Sequence, residues 1–115
     1  MNLDSAILYS NDIEKIVPFY RDTLGFKIEY HRPGEFGFVS FIFPNGARLG
    51  IKTQRRDREV PGYQTVFISV DDIEAKRDEL KERGVKFFTE LTKYEWGKEF
   101  SILDADDNRI LFIKR

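Results

Sequence analysis

Few side chains in this sequence are of the types that perform acid–base or nucleophilic catalysis. His31 is the only histidine, and it stands at the end of a predicted strand beside Arg32 and Pro33. This position is typical of an exposed residue at a strand end, and a role as ligand or base is the alternative. No serine or threonine has a nearby histidine partner in the sequence, so a hydroxyl nucleophile is not indicated. The predicted set of catalytic residues is therefore empty.

Two charged clusters could bind ions. Three aspartates lie between positions 104 and 107, but this segment lacks the spaced ligands and the final glutamate of an EF-hand loop. We interpret it as a solvated acidic turn. Four basic residues lie between positions 52 and 58, where Asp57 and Glu59 dilute their charge. We interpret this run as a solvated linker, and binding of an anionic ligand by one of its arginines is the alternative.

Composition excludes several classes of function. The chain has 115 residues, a formal net charge of −1 and no cysteine. Disulfides and thiolate metal sites are therefore excluded, and the charge gives no reason to expect nucleic acid or a membrane surface as a partner. The first ten residues lack the basic start and the apolar run of a signal peptide, so a cytoplasmic location is expected. Eleven phenylalanines, five tyrosines and one tryptophan suit a large core, a ligand cleft or both.

The strongest signal for secondary structure is a helix within residues 11–26. Its apolar side chains recur every three or four positions and form one stripe, comprising Ile13, Ile16, Val17, Tyr20 and Leu24. Asn11 or Asp12 can cap the start of this helix, and Gly25 can end it. Pro18 interrupts the pattern, so we expect a kink, or a helix that restarts at the proline.

A fainter copy of this stretch lies in residues 71–85. Aligning the Asp-Ile-Glu triplet at 12–14 with the same triplet at 72–74 gives an offset of sixty residues, about half of the chain. The second helix has a thin apolar stripe, mainly Ile73 and Leu80, so most of its circumference should be solvated. A duplicated strand–helix module is therefore predicted.

Three strands and no further helix follow each predicted helix. The absence of crossover helices argues against a doubly wound parallel sheet, and the predicted fold class is α+β with two βαβββ modules. We predict one domain, 1–115, made of modules 1–53 and 63–115 joined by a linker at 54–62. The predicted strands are 4–10, 26–30, 36–43 and 47–52 in the first module, and 64–70, 86–92, 98–103 and 108–114 in the second.

Two stretches of the chain resemble the signatures of a known family. The first is FYRDTLGF at 19–26, preceded by Asp-Ile-Glu, and the second is DADDNRI at 104–110, before the last strand. Together with the βαβββ order, they resemble the vicinal oxygen chelate superfamily, which includes glyoxalases, extradiol dioxygenases and bleomycin resistance proteins. The resemblance covers essentially the whole chain. It implies a glyoxalase/bleomycin-resistance-like fold, in which two modules form curled mixed sheets around a cleft.

The resemblance also implies where a metal ion would bind. In enzymes of this superfamily, His, Gln or Glu side chains from the first and last strands of each module hold a divalent ion. In this sequence the four corresponding positions fall on Ser5, Gly50, Thr65 and Leu111. A hydroxyl alone binds a divalent cation weakly, and glycine and leucine side chains offer no donor. We therefore predict that the metal centre is absent and that the protein uses no cofactor.

The faces that carry these four positions are expected to point into the cleft. Their small polar, apolar and cationic side chains suit an apolar or aromatic ligand with a polar or anionic group. Gly50 should leave room for that ligand to approach the backbone. Three aromatic residues near the cleft could stack on a planar molecule, and a place in the core or a dimer interface is their alternative. The predicted ligand-binding residues are Ser5, Ile7, Arg48, Gly50, Tyr63, Thr65, Phe67, Tyr94, Trp96 and Leu111.

Three hypotheses about function follow from the sequence. The leading one is a metal-free protein that sequesters a small aromatic or peptide-like molecule, as bleomycin resistance proteins do. The second is a glyoxalase- or dioxygenase-like enzyme with a non-standard site, which could use carboxylates such as Glu95 or Glu99. The third is a ligand-free dimeric regulatory module. The resemblance implies a homodimer, and the expected partners are a small molecule and a second copy of the chain, with no nucleic acid and no membrane.

Overall fold

The structure, a computed structural model, describes residues 1–115 and divides into two units, Met1–Gly62 and Tyr63–Arg115. Each unit has the order strand, helix and three strands, which confirms the predicted α+β class and the two βαβββ modules. The first unit comprises β1 (Ala6–Ser10), α1 (Ile13–Pro18), a π-helical segment (Phe19–Thr23), β2 (Lys27–Arg32), β3 (Phe38–Ile42) and β4 (Arg48–Thr53). The second comprises β5 (Thr65–Ser69), α2 (Ile73–Glu82), β6 (Phe87–Tyr94), β7 (Gly97–Leu103) and β8 (Arg109–Lys114). No helix is both long enough and apolar enough to cross a membrane.

The sheet of the first unit is mixed, with the strand order β1-β4-β3-β2. β1 runs parallel to β4, whereas the β2–β3 and β3–β4 pairs are antiparallel. The two hairpins after the helix bring the chain back to β1, so the first and last strands of the unit become neighbours. This pairing places Ile7 directly opposite Gly50.

Helix α1 begins at a side-chain cap and changes its hydrogen-bonding pattern at Pro18. The Asp12 carboxylate accepts a hydrogen bond from the Glu14 backbone N–H at 3.0 Å. After the proline, the Leu24 N–H donates to the Phe19 carbonyl at 2.9 Å, five residues back, as in a π-helix. Because proline has no N–H to donate within an α-helix, the predicted interruption occurs as a change of helix type.

The helical segments cover one face of the first sheet. The five residues of the predicted apolar stripe are all buried, at most 2% exposed: Ile13, Ile16, Val17, Tyr20 and Leu24. The Tyr20 ring stacks on Phe41 of β3 with 5.6 Å between centroids, and Phe26 packs against both rings. We call the opposite face of each sheet, on which no helix packs, its helix-free face.

The second unit repeats this topology with the strand order β5-β8-β7-β6 and a parallel β5–β8 pair. Phe100 of β7 stacks between Phe87 of β6 and Phe112 of β8, with 5.0 Å between centroids on each side. The Lys76 Nζ of α2 lies 5.9 Å from the centre of the Phe112 ring. The helix therefore covers the face that carries the Phe87, Phe100 and Phe112 rings.

Helix α2 is mostly solvated, as predicted. It buries Ile73 and Leu80 and is capped by Asp72, whose carboxylate accepts a hydrogen bond from the Ala75 backbone N–H in the first turn. Glu79 and Arg83, one helical turn apart, form an ion pair at 2.9 Å. With only two buried apolar residues, the helix is held by a narrow contact.

Candidate ligand-binding site

On the helix-free face of the first sheet, apolar side chains fill the space that was predicted at Gly50. A Cβ built on Gly50 would lie 2.5 Å from Cδ1 of Ile7 and 3.0 Å from Cε2 of Phe38. The space expected to admit a ligand to the Gly50 backbone is therefore filled by these two residues. The glycine serves close packing between β1, β3 and β4.

The cationic residue predicted for this face, Arg48, is already paired. Its Nε donates to both carboxylate oxygens of Glu29, each at 3.0 Å. The hydrogen bond to this carboxylate raises the pKa of Arg48. Because Glu29 compensates the charge, Arg48 offers an incoming anion little attraction.

A second cation on this face, Lys52, is paired with Glu59. Its Nζ lies 2.6 Å from Oε2 of Glu59, and the other carboxylate oxygen accepts the backbone N–H of Arg55 at 2.9 Å. The hydrogen bond from Lys52, with smaller contributions from the Arg55 and Arg56 backbone, lowers the pKa of Glu59 from 4.5 to about 2. The segment 54–62, which the sequence predicts to be a linker, is thus held against β4 by a buried carboxylate.

A cavity of about 340 Å³ lies in the first unit beside the turn between β2 and β3. The Arg55 guanidinium lies 4.1 Å from the centre of the Phe36 ring, and Arg56 lies 3.4 Å from the Glu59 carboxylate. Two of the three arginines of the predicted anion-binding alternative, Arg55 and Arg56, therefore have partners within the chain. The lining residues, all exposed, are Glu35, Phe36, Gln54, Arg55 and Arg56.

The helix-free face of the second sheet brings three predicted residues together. In the parallel β5–β8 pair, Thr65 lies opposite Arg109 and Phe67 lies opposite Leu111. On the other side of β8, Leu111 lies opposite Ser101 of β7. Phe67 is 59% exposed, whereas Leu111 is 3% exposed. This face therefore presents an aromatic ring and the Thr65 side chain to solvent beside a buried leucine.

Arg109 is a candidate site residue that the sequence analysis missed. Its Nε donates to Oγ of Ser101 at 2.9 Å, and that oxygen lies 2.6 Å from Oγ1 of Thr89. Its guanidinium lies 5.5 Å from the centre of the Phe88 ring, and Phe88 is 58% exposed. The signal was present, because the alternation that puts Leu111 on this face puts residue 109 there as well.

The three predicted aromatic residues do not form one group. The Tyr63 N–H donates to the Asp107 carbonyl at 3.0 Å, next to the start of β8. Tyr94 and Trp96 stack at 4.6 Å with 4° between their planes, in the β6–β7 hairpin at the other end of the sheet. The six residues of β8, about 20 Å in length, separate the two places. Trp96 also donates its indole N–H to Glu99 at 3.2 Å.

The acidic turn has a structural role. Oδ1 of Asp104 accepts the backbone N–H groups of Asp106 and Asn108, each at 2.9 Å. Asp104 is buried, so the interpretation of a solvated turn is wrong for this residue. Its carboxylate closes the loop that leads into β8.

Comparison with known proteins identifies the family. The model of the Glyoxalase/Bleomycin resistance protein/Dioxygenase superfamily matches residues 2–112. The chain belongs to this superfamily. No curated protein sequence matches it.

Several solved structures of the glyoxalase/bleomycin resistance superfamily and related proteins resemble this chain. A superfamily member from Sphaerobacter thermophilus is 25% identical, with a TM-score of 0.80, and the match covers 100% of this chain and 98% of that one. TnmS3, an antibiotic binding protein from a Streptomyces species, is 26% identical with a TM-score of 0.82 and coverage of 99% and 95%. A glyoxylase/bleomycin resistance protein/dioxygenase domain from a Frankia species has a TM-score of 0.75 at 20% identity, with coverage of 99% and 97%, and shows the fold alone.

The residues at the metal positions implied by the superfamily do not fit a divalent ion. Gly50 is covered by two apolar side chains, Leu111 is buried, and Ser5 and Thr65 offer only hydroxyls. The single histidine, His31, lies 2.9 Å from the Glu14 carboxylate of α1. No group of three or more His, Cys, Asp or Glu side chains within residues 1–115 is arranged to hold a metal ion. The residues at these four positions therefore supply no set of donors for a divalent ion.

Proposed function

We propose that this protein is a metal-free binding protein that sequesters a small aromatic molecule against the helix-free face of its second sheet. The observation that carries this proposal is Phe67, which is more than half exposed on β5 and lies opposite Leu111, one of the four positions implied by the superfamily. A related structure, TnmS3, is an antibiotic binding protein. The proposal extends that kind of activity to this chain.

The energetics of Phe67 favour a ligand that stacks on it. When an apolar ligand covers an exposed aromatic ring, the free energy falls by about 25 cal/mol for each Å² of apolar surface removed from water. Thr65 precedes it on the same face with an exposed side chain, so a polar group of the ligand can be hydrogen-bonded beside the stacked ring. Small-molecule sites typically combine an apolar or aromatic surface with a small number of polar groups.

The test is a thermal-shift screen with aromatic molecules, followed by calorimetric titration of those that raise the melting temperature. Thr65→Trp places a bulky ring beside Phe67 and should weaken binding at least about tenfold. Glu82→Trp, on the exposed side of α2, is the matched control and should leave affinity unchanged. Equal affinities of the wild-type protein and Thr65→Trp would contradict the proposed site.

We also propose that the protein is a homodimer. Eleven large hydrophobic side chains are more than a third exposed, including Ile7, Tyr30 and Phe88 on the two sheets, and burying them against a second copy would be favourable. Light scattering on the purified protein should then give twice the chain mass of 13.6 kDa. A monomeric mass at about 100 μM chain would contradict this proposal.

A further inference from the structure

The cations on the helix-free faces differ in whether they have a partner. Arg48 and Lys52 each face a carboxylate, those of Glu29 and Glu59. The Arg109 side chain has no acidic partner, and its one hydrogen bond goes to the neutral hydroxyl of Ser101. An uncompensated, half-buried guanidinium attracts an anion more strongly than one already in an ion pair.

The orientation of the Arg109 side chain is set by its neighbours. Ser101, which is fully buried, accepts from Nε of Arg109 and in turn contacts the Thr89 hydroxyl at 2.6 Å. The Phe88 ring lies against the guanidinium at 5.5 Å. Because one edge of the planar group is held in this way, a ligand that binds it loses less side-chain entropy on association.

The remaining donors of Arg109 suit a carboxylate. Arginine has five N–H groups, and the one on Nε is used by Ser101. The two terminal nitrogens have no acceptor within the chain and present paired N–H groups in one plane. A carboxylate matches this geometry with two parallel hydrogen bonds, whereas a carboxamide offers one acceptor and no charge.

We propose that Arg109 selects aromatic molecules that carry a carboxylate, with the ring against Phe67 and the carboxylate on the guanidinium. This inference rests on the proposed function, since it names the ligand class for the same face. Phe67 is the most exposed phenylalanine in the chain, at 59%, and lies on β5, which pairs with β8, the strand that carries Arg109. Thr65, opposite Arg109 in the strand pair, can hydrogen-bond a second polar group of the ligand.

The experiment compares two probes of the same shape, 2-naphthoic acid and 2-naphthamide, by calorimetric titration at neutral pH. The wild-type protein should bind the acid at least about tenfold more tightly than the amide. Arg109→Gln should abolish this preference while its affinity for the amide stays within about twofold of wild type. Arg83→Gln removes the same charge from the end of α2 and should keep the full preference.

A measurement on the wild-type protein guards against misfolding of the variant. Binding of the acid should shift the ¹H–¹⁵N resonance of the Arg109 Nε–H, and binding of the amide should shift it less. Equal affinity for the two probes in the wild-type protein would overturn the role of Arg109 while leaving the proposed function intact. Binding of neither probe, when other aromatic molecules do bind at the face blocked by Thr65→Trp, would overturn the ligand class. Failure of every aromatic molecule to bind would overturn the proposed function and this inference together.

Discussion

Nζ of Lys52 lies 2.6 Å from Oε2 of Glu59, and this ion pair joins β4 to the segment that follows it. The pKa of Glu59 is lowered from 4.5 to about 2 in the folded protein, so folding favours its ionised form. The stability that this carboxylate contributes is complete above pH 4.5 and is lost as the pH falls toward 2. We therefore expect Glu59→Gln to be less stable than wild type at about pH 7, with a difference that shrinks between these two pKa values.

Urea unfolding of both proteins at several pH values measures this difference. Glu82→Gln, at an exposed position on α2, is the control and should follow the wild-type curve throughout. A difference between wild type and Glu59→Gln that stays constant down to about pH 2 would show that the charge on Glu59 has no role in stability.

Two glycines should respond differently to alanine. At Gly50 the nearest atom to a new Cβ is the terminal methyl of Ile7, which can move, so Gly50→Ala should destabilise the protein by about 1 kcal/mol. At Gly97 the new Cβ would overlap the Lys114 carbonyl, and φ is +137°. Gly97→Ala should therefore lower the free energy of unfolding by at least about 2 kcal/mol.

Chemical denaturation of the two glycine variants gives both values. In a protein that already carries Ile7→Ala, the clashing methyl is gone. Gly50→Ala should therefore destabilise that protein less than it destabilises the wild type. A Gly97→Ala protein as stable as wild type would mean that the β6–β7 hairpin is not held close to the end of β8.

Asp104→Ala should lower the free energy of unfolding by about 1–3 kcal/mol, because two backbone N–H groups lose their acceptor. Asp104→Asn keeps a carbonyl oxygen at the same place and should lose less. The melting temperature of the wild-type protein should not change with added calcium, since the Asp104 carboxylate is engaged with the backbone. A rise in the melting temperature with calcium would support the ion-binding interpretation of this turn.

Two phenylalanines in neighbouring strands should separate stability from binding. Phe112 is fully buried in the stacked core of the second unit, so Phe112→Ala should destabilise the protein by about 3–5 kcal/mol. Phe67, on the opposite face and largely exposed, should change stability by less than about 1 kcal/mol when replaced by alanine. Phe67→Ala should nevertheless weaken ligand binding, and unchanged affinity would remove Phe67 from the site.

Local patterns predicted most of the elements of this fold. The stripe from Ile13 to Leu24 and the cap at Asp12 involve residues within one or two helical turns, so their spacing alone predicts the helix. The strand boundaries were less accurate: the strand predicted at 86–92 extends to Tyr94. A two-residue turn connects it to β7, and the length of a hairpin arm depends on its partner strand.

For the predicted site residues, the sequence indicated the face of the sheet but not the contacts on it. Alternation along a strand assigned Thr65 and Phe67 to the same face, because side chains point to opposite sides at successive positions. It could not show that Gly50 is covered by Ile7 and Phe38, which come from other strands. Contacts between strands depend on register, and register is decided by the whole sheet.

By itself, the sequence determined the βαβββ repeat, the helix caps and the absence of side chains that bind metal at the four family positions, because each follows from residue type and short-range spacing. Only the tertiary structure decided which charges are compensated. Glu29 and Arg48 are 19 residues apart, and Arg109 reaches Ser101 from another strand. Electrostatic attraction falls with distance in space and not along the chain, so the pairing of Arg48 and the free guanidinium edge of Arg109 emerge only once the strands are side by side.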